Sequence, residues 1–444
     1  MNLSATQIQA IVDATKTPTP EQVRVVEAPR RPLLVVAGAG SGKTETMSMR
    51  VLWLLANHPD LTPASILGLT FTRKAAGELG DRLRERIRLL SREMPQMRER
   101  LDEDPVALTY NSFAERIVSE HGMRIGIDPD FSMLSEAGAL DLMTQIVEAW
   151  STDLDETLSP AGVVGKILHL AGEIAEHGYT VETAREALEE FGRELEQVGR
   201  GNDAARNVID ANRRRLAFLG PIEAYQQRKR DMGVLDFSDQ LVLATRIVRE
   251  APAVRAALRD EFRAVLLDEF QDTSVIQMEL LSTLFGDHAV TAVGDPNQAI
   301  YGWRGASASS LETFLERFQT GVAEEDQTLT LSTAWRNDVS ILDAANRVAA
   351  PLREVASYQQ GKDALKAQSP VLVPRPGAGQ GTVEIAYTQA YDQAPAAMVD
   401  FVQRVRSQPV KGGKRRTVAV LSRRRKDFPL IDAALREAGI PTEI

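Results

Sequence analysis

The eight residues AGAGSGKT at 37–44, between the apolar run LLVV (33–36) and a helical pattern from Thr44 to Leu55, constrain this chain more than any other feature. An apolar strand that turns through three closely spaced glycines into a helix is a phosphate-binding element. The glycines let backbone N–H groups face phosphate oxygens at the positive end of the helix. Lys43 can reach the outer phosphates, and the Thr44 hydroxyl can bind Mg²⁺. Ala37, Gly38, Ala39, Gly40, Ser41, Gly42, Lys43, Thr44 and Glu45 are the candidate nucleotide contacts, with Ala37 where the pattern usually begins with glycine. A turn of this kind belongs to a parallel sheet covered by helices on both faces.

Further apolar runs support that sheet, at 66–71 (ILGLTF), 106–109 (VALT), 264–267 (AVLL) and 290–293 (VTAV). The third of these, AVLL, emerges into DEFQDT, and an acidic pair at a strand end is what a phosphate loop requires. Asp268 is placed to hold the metal through water, and Glu269 to polarise the attacking water. Seen alone, such a pair is as often a solvated strand end; beside the phosphate loop that reading loses its force.

From about Glu115 to Met232 the strand signal gives way to amphipathic helical stretches, so a helical subdomain is predicted inside the α/β domain. After Ala323 the run TLTLSTAWRND leads to a helix near 341–349, and the Pro-, Gly- and Gln-rich segment 359–380 is predicted to be a loop. TVAVLSR (417–423) is predicted to be a strand and FPLIDAALREAGI (428–440) a helix with a glycine stop.

The 444 residues are 43% hydrophobic and 26% charged, which suits globular cores and suggests two to four domains. No apolar run is long enough to cross a bilayer, and the first residues lack the pattern of a signal peptide, so the cytoplasm is the expected compartment. With no cysteine, thiolate metal sites and disulfides are excluded from these residues. His58, His121, His169, His177 and His288 show no metal-ligand spacing. The net charge of −10 argues against a basic nucleic-acid coat but leaves room for a basic groove.

AGAGSGKT, LTFTRKAAGEL, DEFQDTS and VGDPNQAIYGWRGA, in this order, resemble the UvrD/PcrA/Rep type of superfamily 1 DNA helicase. The resemblance runs from about Thr19 to the C-terminal end, weakly through the helical insertion. GKTETM with LGLTFTRKAAGEL looks most like the motor subunits of actinobacterial AdnAB-type helicase–nucleases. It implies RecA-like motor domain 1A at 1–114 and 233–323, a helical subdomain 1B at 115–232, and the first part of motor domain 2A at 324–444. The family's late motifs have no counterpart here, so an N-terminal fragment of a longer protein is expected.

The resemblance also implies roles. Gln22 would read the adenine edge, Gln298 would contact the γ-phosphate, and Arg336 would reach it like an arginine finger. Trp335 stands where the family usually has a tyrosine stacking on adenine. Asp236 and Phe237, in LDFSDQL, are expected to be structural. Single-stranded and duplex DNA are the implied partners, with a second helicase–nuclease subunit. DNA contacts are expected on the opposite side of the same strands, from Phe71, Thr72 and Arg73, from Tyr110, Asn111, Ser112 and Phe113, and from Tyr301, Trp303 and Arg304. Such a groove stacks bases on aromatic faces and tracks the backbone with cations. Core packing is the rival reading for Phe71 and Phe113.

Two departures matter. Glu45 replaces a common arginine beside the adenine, and Asn111 replaces a common histidine. The expected activity is ATP-dependent translocation on single-stranded DNA, 3′ to 5′, in repair or recombination. A nucleotide- and DNA-binding scaffold subunit is the alternative from another class. A DNA-independent P-loop enzyme such as a kinase is a third reading, and it leaves YGWRG unexplained.

Overall fold

In a computed structural model, the residues described are 3–152, 154, 158–198, 203–302, 305–306, 310–318, 327–358, 368–390, 393–408 and 416–443. They form two compact units, 1–379 and 380–444.

The first unit opens with helices α1 (Ala5–Asp13) and α2 (Pro20–Val26). Strand β1 (Leu33–Ala37) then leads through the glycine turn into α3 (Lys43–Asn57). Next come β2 (Ile66–Thr70), α4 (Arg73–Glu93), β3 (Val106–Thr109) and α5 (Tyr110–His121). The short β4 (Ser132–Met133) precedes α6 (Glu136–Glu148), α7 (Pro160–Glu176), α8 (Val181–Val198) and α9 (Asp203–Met232). The chain returns through β5 (Val234–Leu235), α10 (Phe237–Glu250), α11 (Pro252–Glu261), β6 (Ala264–Leu267), α12 (Val275–Phe285) and β7 (Val290–Gly294). Then follow α13 (Ser310–Arg317), β8 (Thr328–Leu331), β9 (Thr333–Ala334), α14 (Val339–Tyr358) and β10 (Val373–Pro374).

Six of these strands form one parallel sheet in the order β3-β2-β6-β7-β1-β8. Alternation along the strands sends side chains to opposite faces. Leu34, Val36, Leu67, Leu69, Val265 and Leu267 join a core with α5 and α10 to α13. Leu33, Val35, Ile66, Ala264 and Leu266 join a second core with α3 and α4. The runs are therefore apolar throughout, as the α/β, RecA-like fold requires. β8 pairs with β1, so the sheet continues past residue 323.

Helices α6 to α9 carry their own core, including Met143, Ile167, Leu219 and Ile222. The two-residue β4 pairs in parallel with β5 at the base of this helical insertion, a strand that its apolar pattern did not signal.

The second unit contains α15 (Ala394–Ser407) and α16 (Phe428–Glu437), packed through Val402, Leu435 and Ile440. Residues 417–423, expected as a strand, have no ladder partner among the described residues, and Leu421 is 92% exposed. A β-type sequence becomes a strand only when a neighbour satisfies its backbone groups. No helix among the described residues is long and apolar enough to cross a membrane.

Candidate functional site

Parallel strands deliver their carboxyl ends to one edge of the sheet, and that edge holds the site. β1 ends at Ala37 and turns into the phosphate loop. Gly40 and Gly42 sit at φ +75° and +82°, a left-handed backbone closed to most other residues, and Gly42 caps α3. The Ser41 hydroxyl is buried with no partner, as a group waiting for an oxygen ligand would be.

Beside β1, past β7, β6 delivers Asp268 and Glu269. Glu269 is the one non-glycine residue among those described with positive φ, at 49°. Backbone strain of this kind persists where surrounding structure holds it. Here Lys43 Nζ donates to Glu269 Oε2 at 2.9 Å, and Gln271 Nε2 donates to the same oxygen at 3.0 Å. Asp268 lies behind this pair, and its N–H donates to Leu69 O at 2.9 Å. Burial first, and then the Glu269 charge, push the Asp268 carboxyl up to about 6. The same two causes raise Asp272 to about 6, and its Oδ1 is buried without a partner. Lys43, Arg82 and Arg336 face these acids across the cleft, and the donor set of Thr44 with one carboxylate fits Mg²⁺. No cluster of three or more His, Asp or Glu among the described residues is arranged to hold a metal.

β7 ends in Asp295, whose Oδ2 accepts from Gln298 Nε2 at 2.7 Å. β8 and β9 bring up Trp335, whose N–H donates to Gly40 O at 2.8 Å. The resulting cleft, about 510 Å³, is lined by 39–45 with Arg82, Glu269, Gln298, Trp335 and Arg336. Trp335 is 37% exposed, leaving its indole face open.

Gln22 is buried next to Gly42, but its amide is engaged. Oε1 accepts from the Thr19 N–H at 2.9 Å and Nε2 donates to Thr46 Oγ1 at 3.3 Å. Glu45 accepts from Arg86 on α4 at 2.5 Å, so a guanidinium does stand beside the cleft, supplied from another helix. Arg82, Arg86 and Asp272 were missed by sequence reasoning. The third acid of DEFQD could have flagged Asp272, whereas nothing local marks which arginines of the basic helix α4 face the cleft.

The expected DNA contacts divide. Phe71 and Tyr301 are half-buried and lie ring against ring, centroids 4.7 Å apart. Thr72 caps α4 through a bond from the Ala75 N–H at 3.1 Å, and Arg73 is exposed. Tyr110 and Phe113 correct the expectation: they are 3% and 0% exposed. Phe113 packs on Phe262 and Phe285, and the Tyr110 hydroxyl donates to Asp268 O at 3.4 Å. Neither ring can stack on a base. Asn111 Oδ1 accepts from Gln277 at 3.5 Å, and Ser112 Oγ accepts from Thr109 at 2.9 Å. Trp303 and Arg304 lie outside the described residues. The Phe71 and Tyr110 turns follow the carboxyl ends of β2 and β3, so they share the sheet edge of the phosphate loop, displaced along the strand order rather than on the opposite side. Asp236 is structural, capping α10 and binding Lys229 at 2.6 Å, but Phe237 is 53% exposed.

A parallel sheet with a phosphate loop and an acidic pair at one edge defines the class of P-loop nucleotide-binding folds. The family model described as the UvrD/REP helicase N-terminal domain matches residues 18–319, and the chain belongs to that family. It is 27% identical over 425 residues to DNA helicase II of Escherichia coli (strain K12), covering 96% of this chain and 51% of that protein. It is 28% identical over 329 residues to the ATP-dependent DNA helicase PcrA of Leuconostoc citreum, covering 74% of this chain and 38% of that protein. The chain thus spans about half or less of the length of these relatives.

Proposed function

We propose that this chain is the motor part of an ATP-dependent DNA helicase. It binds ATP with Mg²⁺ in the cleft, hydrolyses it and moves 3′ to 5′ along single-stranded DNA, separating duplexes during repair or recombination in the cytoplasm. The observation that carries the reading is the Lys43–Glu269 contact inside a cleft faced by Trp335 and Arg336. Relatives named as DNA helicases support the substrate, and the polarity and pathway rest on the family resemblance. The likeness to AdnAB-type subunits extends the proposal to a partner subunit.

The residues divide the work. Thr44 and Asp268 would hold Mg²⁺, which when bound neutralises phosphate charge. Lys43 exchanges Glu269 for a phosphate, which releases the carboxylate to orient and deprotonate water. Gln298 leaves Asp295 for the γ-phosphate, Arg336 stabilises charge there, and the Trp335 indole covers the base. Phe71 and Tyr301, with Arg73, form the described part of the DNA surface.

ATP turnover with and without single-stranded DNA, beside Lys43→Ala, tests the proposal. Turnover that rises with DNA and disappears in the variant is expected. Nucleotide binding without turnover in the intact protein would favour the scaffold reading, and turnover indifferent to DNA would overturn translocation on DNA as the function.

A further inference from the structure

Residues 368–375 fall where composition predicted a free loop, yet they are tied to the cleft at several points. Ser369 is 7% exposed, and its hydroxyl donates to Asp295 Oδ1 at 2.5 Å. Leu372 is gripped by Asn346 of α14 in both directions, at 2.9 Å through its N–H and 2.8 Å through its carbonyl. Its side chain lies over Gly38, where a Cβ would have no room. β10 then pairs with β9, immediately before Trp335 and Arg336.

Asp295 is the junction. It is 3% exposed, and its N–H donates to Gln271 Oε1 at 3.0 Å. The Gln271 amide has one tolerable orientation, because Nε2 faces Glu269 Oε2 at 3.0 Å and Asp272 Oδ2 at 3.2 Å. Flipped, its oxygen would face two carboxyl groups. The Asp295 carboxylate holds Gln298 on Oδ2, while Oδ1 accepts from Ser369 and from the Asn297 N–H at 3.0 Å. A buried chain of hydrogen bonds thus joins Glu269, which faces Lys43, to the segment that pairs with the strand before Trp335.

We propose that Ser369 is a positioning residue for ATP hydrolysis, acting through Asp295 on Gln298. The proposal rests on the reading of the cleft as an ATPase site. For Gln298 to reach a phosphate it must leave Asp295, and a buried carboxylate that loses a donor is destabilised unless others remain. The Ser369 hydroxyl makes a charge-assisted bond that keeps Asp295 satisfied during the exchange. Without it, Asp295 competes harder for Gln298. The chemical step then slows, while the phosphate loop binds nucleotide as before.

The test compares wild type, Ser369→Ala and Ser369→Thr in the intact protein, measuring DNA-stimulated turnover, equilibrium binding of a fluorescent ATP analogue and the thermal midpoint. Alanine removes only one oxygen, so folding is not at risk. The expected result is a kcat about tenfold lower in Ser369→Ala, nucleotide affinity within about twofold of wild type, a midpoint lowered by no more than about 4 °C, and recovery in Ser369→Thr. Equal kcat in wild type and Ser369→Ala overturns the proposal, as does a loss of affinity and stability in step with kcat, or no recovery with threonine. If wild type itself does not turn over ATP, the ATPase reading falls first and the Ser369 proposal with it.

Discussion

Lys43 Nζ and Glu269 Oε2 stand 2.9 Å apart, so the cation that the proposed mechanism gives to phosphate and the carboxylate that it gives to water hold each other. In the proposed mechanism a phosphate takes over Lys43 and frees the carboxylate. Glu269→Gln keeps the side chain's shape and removes its basicity. ATP turnover should fall at least about 100-fold while nucleotide affinity stays near wild type or improves. Single-turnover kinetics with a fluorescent ATP analogue check this, and unchanged turnover would remove Glu269 from the mechanism.

The raised Asp268 carboxyl makes stability depend on pH. Its folded pKa of about 6 exceeds the ordinary 3.8, so the folded state binds the extra proton. That contribution is fully present below about pH 4 and is lost as pH rises through about 6. At pH 7.5, without Mg²⁺ and nucleotide, Asp268→Asn should stabilise the protein by as much as about 3 kcal/mol while abolishing turnover. Urea denaturation from pH 4.5 to 7.5 would show a flatter profile for the variant. Matching profiles would mean that the charge is already compensated.

Arg50 of α3 is buried, and among the described residues it has no carboxylate partner. Its guanidinium donates to Thr291 Oγ1 and to the carbonyls of Val25, Val26, Ala28 and Pro29, at 2.8–3.3 Å. Burial lowers its pKa to about 10, so it stays charged at neutrality, facing the carbonyl-rich end of α2. Arg50→Ala should destabilise by about 3–5 kcal/mol. Arg50→Lys should recover only part, since an ammonium has three donors without the planar fork. A lysine variant with the wild-type urea midpoint would contradict this account.

The aromatic residues separate into two experiments. Phe113→Ala should lower stability by about 3–5 kcal/mol, as expected for a fully buried ring. Phe71→Ala and Tyr301→Ala should leave the fold in place and weaken single-stranded DNA binding by about 1–3 kcal/mol each. Fluorescence anisotropy at fixed salt, beside thermal unfolding, distinguishes them. An intact Phe71→Ala variant with unaltered DNA affinity would exclude that ring from the groove.

The parallel sheet and the phosphate loop were legible in the amino-acid sequence because both are local. Apolar runs of four to six residues, glycines at a tight turn and acids at a strand end are written in adjacent positions, and the order of motifs carried the family. Three-dimensional packing decided what local chemistry leaves open. Tyr110 and Phe113 have the composition of a stacking surface, yet α10 and α12 cover them. Residues 417–421 have the composition of a strand, yet extended backbone without a neighbour makes no ladder. Segment 368–375 has the composition of a loop, yet Asp295 and Asn346 fasten it. Arg86 and Ser369 follow no motif; their partners, Glu45 and Asp295, are far away in the chain. Contacts of that kind come into being only when the sheet brings its carboxyl ends together, so a sequence can specify them but its local pattern cannot display them.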